Sequence, residues 1–179
     1  MKDCSAAQRL SKDMKLALKW FAPITLAAMG LAWCSEQVAL LLGFEPPPQD
    51  LVRLFTDPGV AWSVKAKYAA IAVLAAPVVE ELIFRKGLFG FCIWCGRRMK
   101  RADISDAGLS TSFPLAAALA TGAVFAAVHF HAATFVPLWF LGVAFAWLYW
   151  KSGTVFSSML CHFLFNLVNF VLCVTIGTA

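Results

Sequence analysis

The chain has 179 residues, 61% of them hydrophobic and 14% charged, with a mean hydropathy of +0.75. Soluble globular domains run near ~45–50% apolar and ~25% charged, so this composition excludes a water-soluble enzyme and points to a polytopic membrane protein of one domain. The net charge is +5, but the basic residues flank apolar segments instead of forming an exposed face, which argues against a nucleic-acid partner.

Residues 1–19 read as a basic tail carrying Lys2, Arg9, Lys12, Lys15 and Lys19, expected in the cytoplasm and finishing as a short interfacial helix. Residues 20–179 read as a single transmembrane domain. Trp20–Leu42 is the first expected span. It follows a long charged lead and runs too far for the apolar core of a signal peptide. In the loop Gly43–Ser63, Glu45-Pro46-Pro47-Pro48 stops any helix. Gln49–Phe55 then sets Leu51, Leu54 and Phe55 at amphipathic spacing, which predicts a short surface helix, and Asp57-Pro58-Gly59 is a turn.

Val64–Trp94 is the second apolar stretch. As one helix it would be about 45 Å long against a hydrocarbon core of ~30 Å, so it must project or break, with Pro77 and Gly87 the expected kink points. Arg97–Gly108 follows as a basic loop. Ser112–Phe130, Phe135–Trp150 and Val155–Ile176 complete the reading. The expected fold is an all-α, polytopic membrane helical bundle of about five transmembrane helices. Its N-terminus, the Arg97–Arg101 block and Lys151 lie on the cytoplasmic side of a plasma or inner membrane. The six cysteines lie mostly in or beside apolar segments. Cys92-Ile-Trp-Cys95 has redox or metal spacing, but no second CxxC accompanies it, and the cysteines read as small apolar helix residues.

Three polar clusters interrupt the apolar spans. The first is Glu80-Glu81-x-x-x-Arg85. A charge at the centre of a membrane helix costs about 3 kcal/mol on insertion scales, so each needs a partner or a purpose. Glu81 and Arg85 are four apart and can pair, whereas Glu80 is turned about 100° away. One carboxylate reads as neutralised and the other as free; the alternative is a structural ion-pair cluster that fixes helix packing. The second cluster is Phe125-Ala-Ala-Val-His129, with Phe125 one turn before the imidazole and able to cover it. On a continuing helix, His131 would point nearly opposite His129. The third is His162-Phe-Leu-Phe-Asn166, an imidazole and an amide on one helix face. By these span limits His129 lies near the outer end of its helix and His162 in the inner half of its own, so the two converge only if helices tilt.

Taken singly, these histidines and the asparagine are also what interhelical hydrogen bonding uses. Together they are the parts of an acid–base site for peptide hydrolysis. Glu80 with His129 would activate a water, and His162 with Asn166 would donate hydrogen bonds to the oxyanion. No cofactor is expected. The alternative is zinc, for which Glu80, His129 and His162 supply three ligands of a suitable type, although no H-E-x-x-H is present.

The ordered set E-E-x-x-x-R, F-x-x-x-H and H-x-x-x-N, each in an apolar helix, resembles the CPBP family, the CAAX-protease and bacteriocin-processing group also called Abi or type II CAAX prenyl endopeptidases. Leu141-Gly142 through Tyr149, with Ser152-Gly153-Thr154, also looks like that family's last motif region, and the resemblance covers roughly residues 75–170. It implies an intramembrane endopeptidase, usually treated as glutamic-type, in which Glu80 and His129 activate water and His162 and Asn166 form the oxyanion hole. Glu81 and Arg85 would be the supporting pair, with Phe125 beside them. Two departures are Arg85-Lys86-Gly87, where many members place the glycine directly after the arginine, and the presence of only one span before the motif core. The implied partners are the lipid bilayer and a membrane-anchored or lipidated peptide: a CAAX-type protein, a C-terminal tail or a bacteriocin. The alternatives are a non-catalytic immunity or binding protein on the same scaffold and a proton-coupled transporter.

Overall fold

A computed structural model describes residues 6–102 and 112–177. Among them the chain runs α1 (Ala6–Leu41), α2 (Asp50–Thr56), α3 (Trp62–Ala69), a π-helical segment π1 (Ala70–Ala75), α4 (Ala76–Glu81), a second π-helical segment π2 (Leu82–Phe89), α5 (Gly90–Ala102), α6 (Ser112–Ala127), a 3₁₀ turn (Ala132–Thr134), α7 (Phe135–Ser152) and α8 (Val155–Gly177). No strand occurs among the described residues, and the architecture is an all-α membrane bundle.

Three helical stretches, Ala6–Leu41, Ala132–Ser152 and Val155–Thr175, are long and apolar enough to cross a membrane. The expected count of five is not reached on that measure, for two local reasons. The α6 stretch Phe113–Ala127 is apolar but short, because the helix ends before Val128. The run over 62–102 is helical throughout but is cut by π1 and π2 into short pieces. Both expected kink points fall at these cuts: Pro77 follows π1 and Gly87 lies within π2.

The tail expected over residues 1–19 is, from Ala6 onward, the first half of the same helix as the first span. Nothing between Ala6 and Pro23 breaks a helix, and Ala, Leu, Lys and Met favour one. Its buried residues Asp13, Ala17, Ile24 and Ala28 form one stripe. Asp13 carries a buried carboxylate, and Thr154 Oγ1 donates to it at 2.6 Å while Ser157 Oγ donates to the Asp13 carbonyl at 3.3 Å. This clip ties α1 to the tight turn between α7 and α8, where Gly153 takes φ 76° and its N–H bonds the Tyr149 carbonyl. Arg97 lies 5.7 Å from the Trp150 ring, beside Lys151. The basic residues of α1, α5 and the α7–α8 turn therefore gather at one end of the bundle. Of the basic loop expected over Arg97–Gly108, the part up to Ala102 continues α5, and residues 103–108 lie outside the described residues.

At the other end the proline-rich loop is tied down. His131 Nε2 donates to the Pro47 carbonyl at 2.8 Å, and Gln49 Nε2 donates to Thr134 Oγ1 at 3.2 Å. The expected surface helix is α2, whose Phe55 packs edge-on against Phe170 of α8. The buried Lys65 donates to the Phe55 carbonyl at 2.9 Å and so serves the C-terminal end of α2.

The core centres on α7. Leu141, Phe145 and Leu148 pack against Ala17, Ile24 and Ala28 of α1 and Cys161 of α8, and Ala146 packs with Phe89, Ile93, Ala117 and Ala118. α6 and α7 touch backbone to backbone at two glycines: a Cβ on Gly142 would lie 2.7 Å from Gly122 Cα. A backbone atom cannot swing aside as a side chain can. Gly142→Ala therefore destabilises the bundle by about 1–3 kcal/mol, read as a lowered melting temperature of the purified protein in detergent.

Candidate active site

The site is built where α4 and π2 face α8 and the end of α6. Glu81 is fully buried and shared. Its Oε2 lies 3.2 Å from Arg85 Nε one helical turn on, and its Oε1 lies 3.1 Å from His162 Nδ1. Ser158, one turn before His162, is buried and donates to the Val155 carbonyl at 3.0 Å. The buried Arg85 guanidinium sits in a box of aromatic rings, 4.6 Å from Phe125, 5.4 Å from Phe145 and 5.9 Å from Phe84. Ring faces offer a cation a favourable surface that lipid tails do not. The pair is thus enclosed by the His162 imidazole and three phenyl rings.

Glu80 is placed differently. Its side chain is 26% exposed, against none for Glu81. Oε2 is buried and accepts no hydrogen bond among the described residues; the nearest basic atom is His162 Nε2, 3.8 Å away. That distance is too long for a hydrogen bond, so Glu80 keeps an unspent acceptor beside an imidazole.

His162 is buried and stacked on Phe145, with centroids 4.9 Å apart and an interplanar angle of 27°, and it meets the edge of Phe125 at 6.1 Å. Its bond to a carboxylate requires the proton on Nδ1 when Glu81 is ionised. Nε2, the atom facing Glu80, then carries a lone pair in the neutral ring.

His129 lies past the end of α6, in a turn closed by Phe130 at φ 51°. Its Nδ1 lies 2.7 Å from the Phe125 carbonyl. A carbonyl only accepts, so Nδ1 carries the proton and Nε2 is the free lone pair. The Phe125 ring touches His129 edge-on at 4.9 Å. The same phenyl therefore reaches both histidines. Because the helix stops at Ala127, the opposition of His129 and His131 expected on a continuing helix does not apply; His131 instead ties down the Pro47 loop.

Asn166 Nδ2 donates to the Ala72 carbonyl in π1 at 2.9 Å. The structure thus joins Glu80, Glu81, Arg85, Phe125 and His162 in one cluster, with His129 reached across Phe125 and Asn166 engaged with the backbone upstream of Glu80. Among the described residues no three His, Cys, Asp or Glu side chains form a group that could hold a metal. Glu80, His129 and His162 form no such ligand set for zinc among the described residues.

Sequence reasoning missed Phe84 and Phe145, which had no signal to set them apart among the 16 phenylalanines of the chain.

Searches of curated proteins and of solved structures find no match. The family model of type II CAAX prenyl endopeptidase Rce1-like proteins matches residues 62–168. That stretch is more than half of the chain and contains every one of the clustered residues, so the chain belongs to the type II CAAX prenyl endopeptidase Rce1-like family.

Proposed function

We propose that the chain is an intramembrane endopeptidase that hydrolyses a peptide bond in a prenylated, lipidated or otherwise membrane-anchored substrate, with Glu80 as the general base. The observation that carries this reading is the division of labour between adjacent carboxylates. Glu81 is fully buried and engaged by Arg85 at 3.2 Å and His162 at 3.1 Å, while Glu80 is 26% exposed and comes no nearer to a basic atom than His162 Nε2 at 3.8 Å.

In this reading Glu80 takes a proton from the attacking water, and His129, with its lone pair on Nε2, accepts a hydrogen bond from the same water. Glu80 Oε2 and His162 Nε2 lie 3.8 Å apart, so a water and a carbonyl lying alongside the two could be reached by both. His162 donates to the oxyanion from Nε2 as the imidazolium, whose charge the Glu81 carboxylate balances at Nδ1, while Glu80 holds the proton taken from water and passes it to the leaving amine. Asn166 supplies a second donor, since its Nδ2 carries two protons and Ala72 uses one. Arg85 and Glu81 orient the imidazole and take no part in bond making. The basic end of the bundle, with Arg9, Lys12, Lys15, Lys19, Arg97, Arg98 and Lys151, faces the cytoplasm.

The test is cleavage by purified protein in nanodiscs, with a farnesylated CAAX peptide and a pool of membrane-anchored C-terminal tails as substrates. The expected result is cleavage that persists with chelator and falls by about 10²–10⁴-fold in His129→Ala. Chelator-sensitive cleavage restored by zinc would replace the glutamate mechanism with a metal one. The pool that is cut identifies the substrate class. Proton flux in liposomes that depends on Glu80, without cleavage, would favour the transporter.

A further inference from the structure

Pro77 interrupts the backbone ladder three residues before Glu80, because proline has no N–H to give. In a plain α-helix its missing donor would leave the Val73 carbonyl unpaired. In π1 the pattern is shifted by one residue: the Ala76 N–H bonds the Ile71 carbonyl, five residues back. The Ala72 carbonyl therefore has neither of its helical donors. The N–H of Ala76 has turned to Ile71, and position 77 has none to offer. This is the carbonyl to which Asn166 Nδ2 donates at 2.9 Å. With water absent from a bilayer core, such a carbonyl needs a protein donor, and α8 supplies it from a side chain one turn beyond His162.

We propose that Pro77, the Ala72 carbonyl and Asn166 form a joint that sets Glu80 against α8, an inference that rests on the endopeptidase reading of the same site. α8 grips the run at two points: His162 holds Glu81 on one side of the joint's proline, and Asn166 holds Ala72 on the other. Glu80 lies between the two grips. A slip of π1 to α-helical pairing would turn the following residues by about 100° relative to the preceding ones and carry Glu80 away from His162. Asn166 is thus a positioning residue before substrate arrives, in addition to the oxyanion donor proposed above. The Ala72 bond also fixes which end of the amide is nitrogen, since a carbonyl accepts only from Nδ2.

A double-mutant cycle on the full chain in nanodiscs separates the two roles. Pro77→Ala restores an N–H at position 77 and offers the Ala72 carbonyl a helical donor. In the native background Asn166→Ala is expected to lower the melting temperature by roughly 4 °C and kcat by about 10³-fold, with KM little changed. In the Pro77→Ala background the same substitution is expected to lose at most half of that melting shift. Its kcat loss there should shrink to about 10²-fold, because only the oxyanion role is then removed. Equal losses in both backgrounds would overturn the joint. If Pro77→Ala fails to fold, deuterium exchange without substrate decides: Asn166→Ala should speed exchange over residues 72–81 and leave 155–161 unchanged, and unchanged exchange over 72–81 would overturn it. Melting and exchange need no substrate, so they report on the joint even if Glu80→Gln were to retain full turnover and remove the endopeptidase reading.

Discussion

Glu80→Gln lowers peptide cleavage by about 10²–10⁴-fold and leaves the melting temperature of the purified protein unchanged. The change keeps the size of the side chain and removes its ability to take a proton, the contribution expected of a general base. Stability is spared because Glu80 anchors nothing. Its side chain is partly exposed, its Oε2 accepts no hydrogen bond among the described residues, and its approach to His162 at 3.8 Å is too long for one. Cleavage and thermal unfolding of the same preparation check both halves. A Glu80→Gln protein that still cleaves at the native rate would sink the proposed mechanism, and one that also kept its function in cells would favour a non-catalytic protein on this scaffold.

The second large effect is on stability. Arg85→Met leaves the Glu81 carboxylate buried without its cation, and breaking a buried pair in this way costs about 3–5 kcal/mol. Glu81 is fully buried and Arg85 1% exposed, so no water is at hand to take the arginine's place. The loss should appear as poor recovery of folded protein and a much lowered melting temperature. Adding Glu81→Gln should restore most of it, because the double variant buries no charge and glutamine's carbonyl still accepts from His162 Nδ1. A double variant as unstable as the single one would mean that Arg85 acts through its packing among Phe84, Phe125 and Phe145.

The contrast between neighbouring glutamates was largely legible in the sequence. Four-residue spacing put Glu81 with Arg85 and turned Glu80 away, and the two carboxylates differ in that sense. Helical spacing also put His162 and Asn166 on one face, and both do reach the run that carries the glutamates. What spacing cannot give is a choice of partner across helices. That Glu81, not Glu80, holds the His162 ring at hydrogen-bond distance depends on how α8 lies against α4. The wheel also assumes 3.6 residues per turn. Pro77 announced a break but not its form, and π1 and π2 shift the register on both sides of Glu80 and Glu81. The early end of α6 was hidden for a similar reason. Neither glycine nor proline marks Phe130, yet it takes the positive φ that stops the helix and turns His129 back toward Phe125.

The clip between Asp13 and Thr154 bears on how such a bundle is made. α1 leaves the ribosome first among the described helices and α8 last, yet the buried Asp13 finds its hydrogen-bond donor only on the far side of the α7–α8 turn. Glu81 likewise waits for α8 to bring its imidazole. Biosynthesis therefore delivers Glu80 to the membrane long before the chain can use it. The same late-arriving helix that closes the bundle also brings the imidazole that completes the buried cluster around Glu81, so under the proposed reading hydrolysis would begin only once assembly ends.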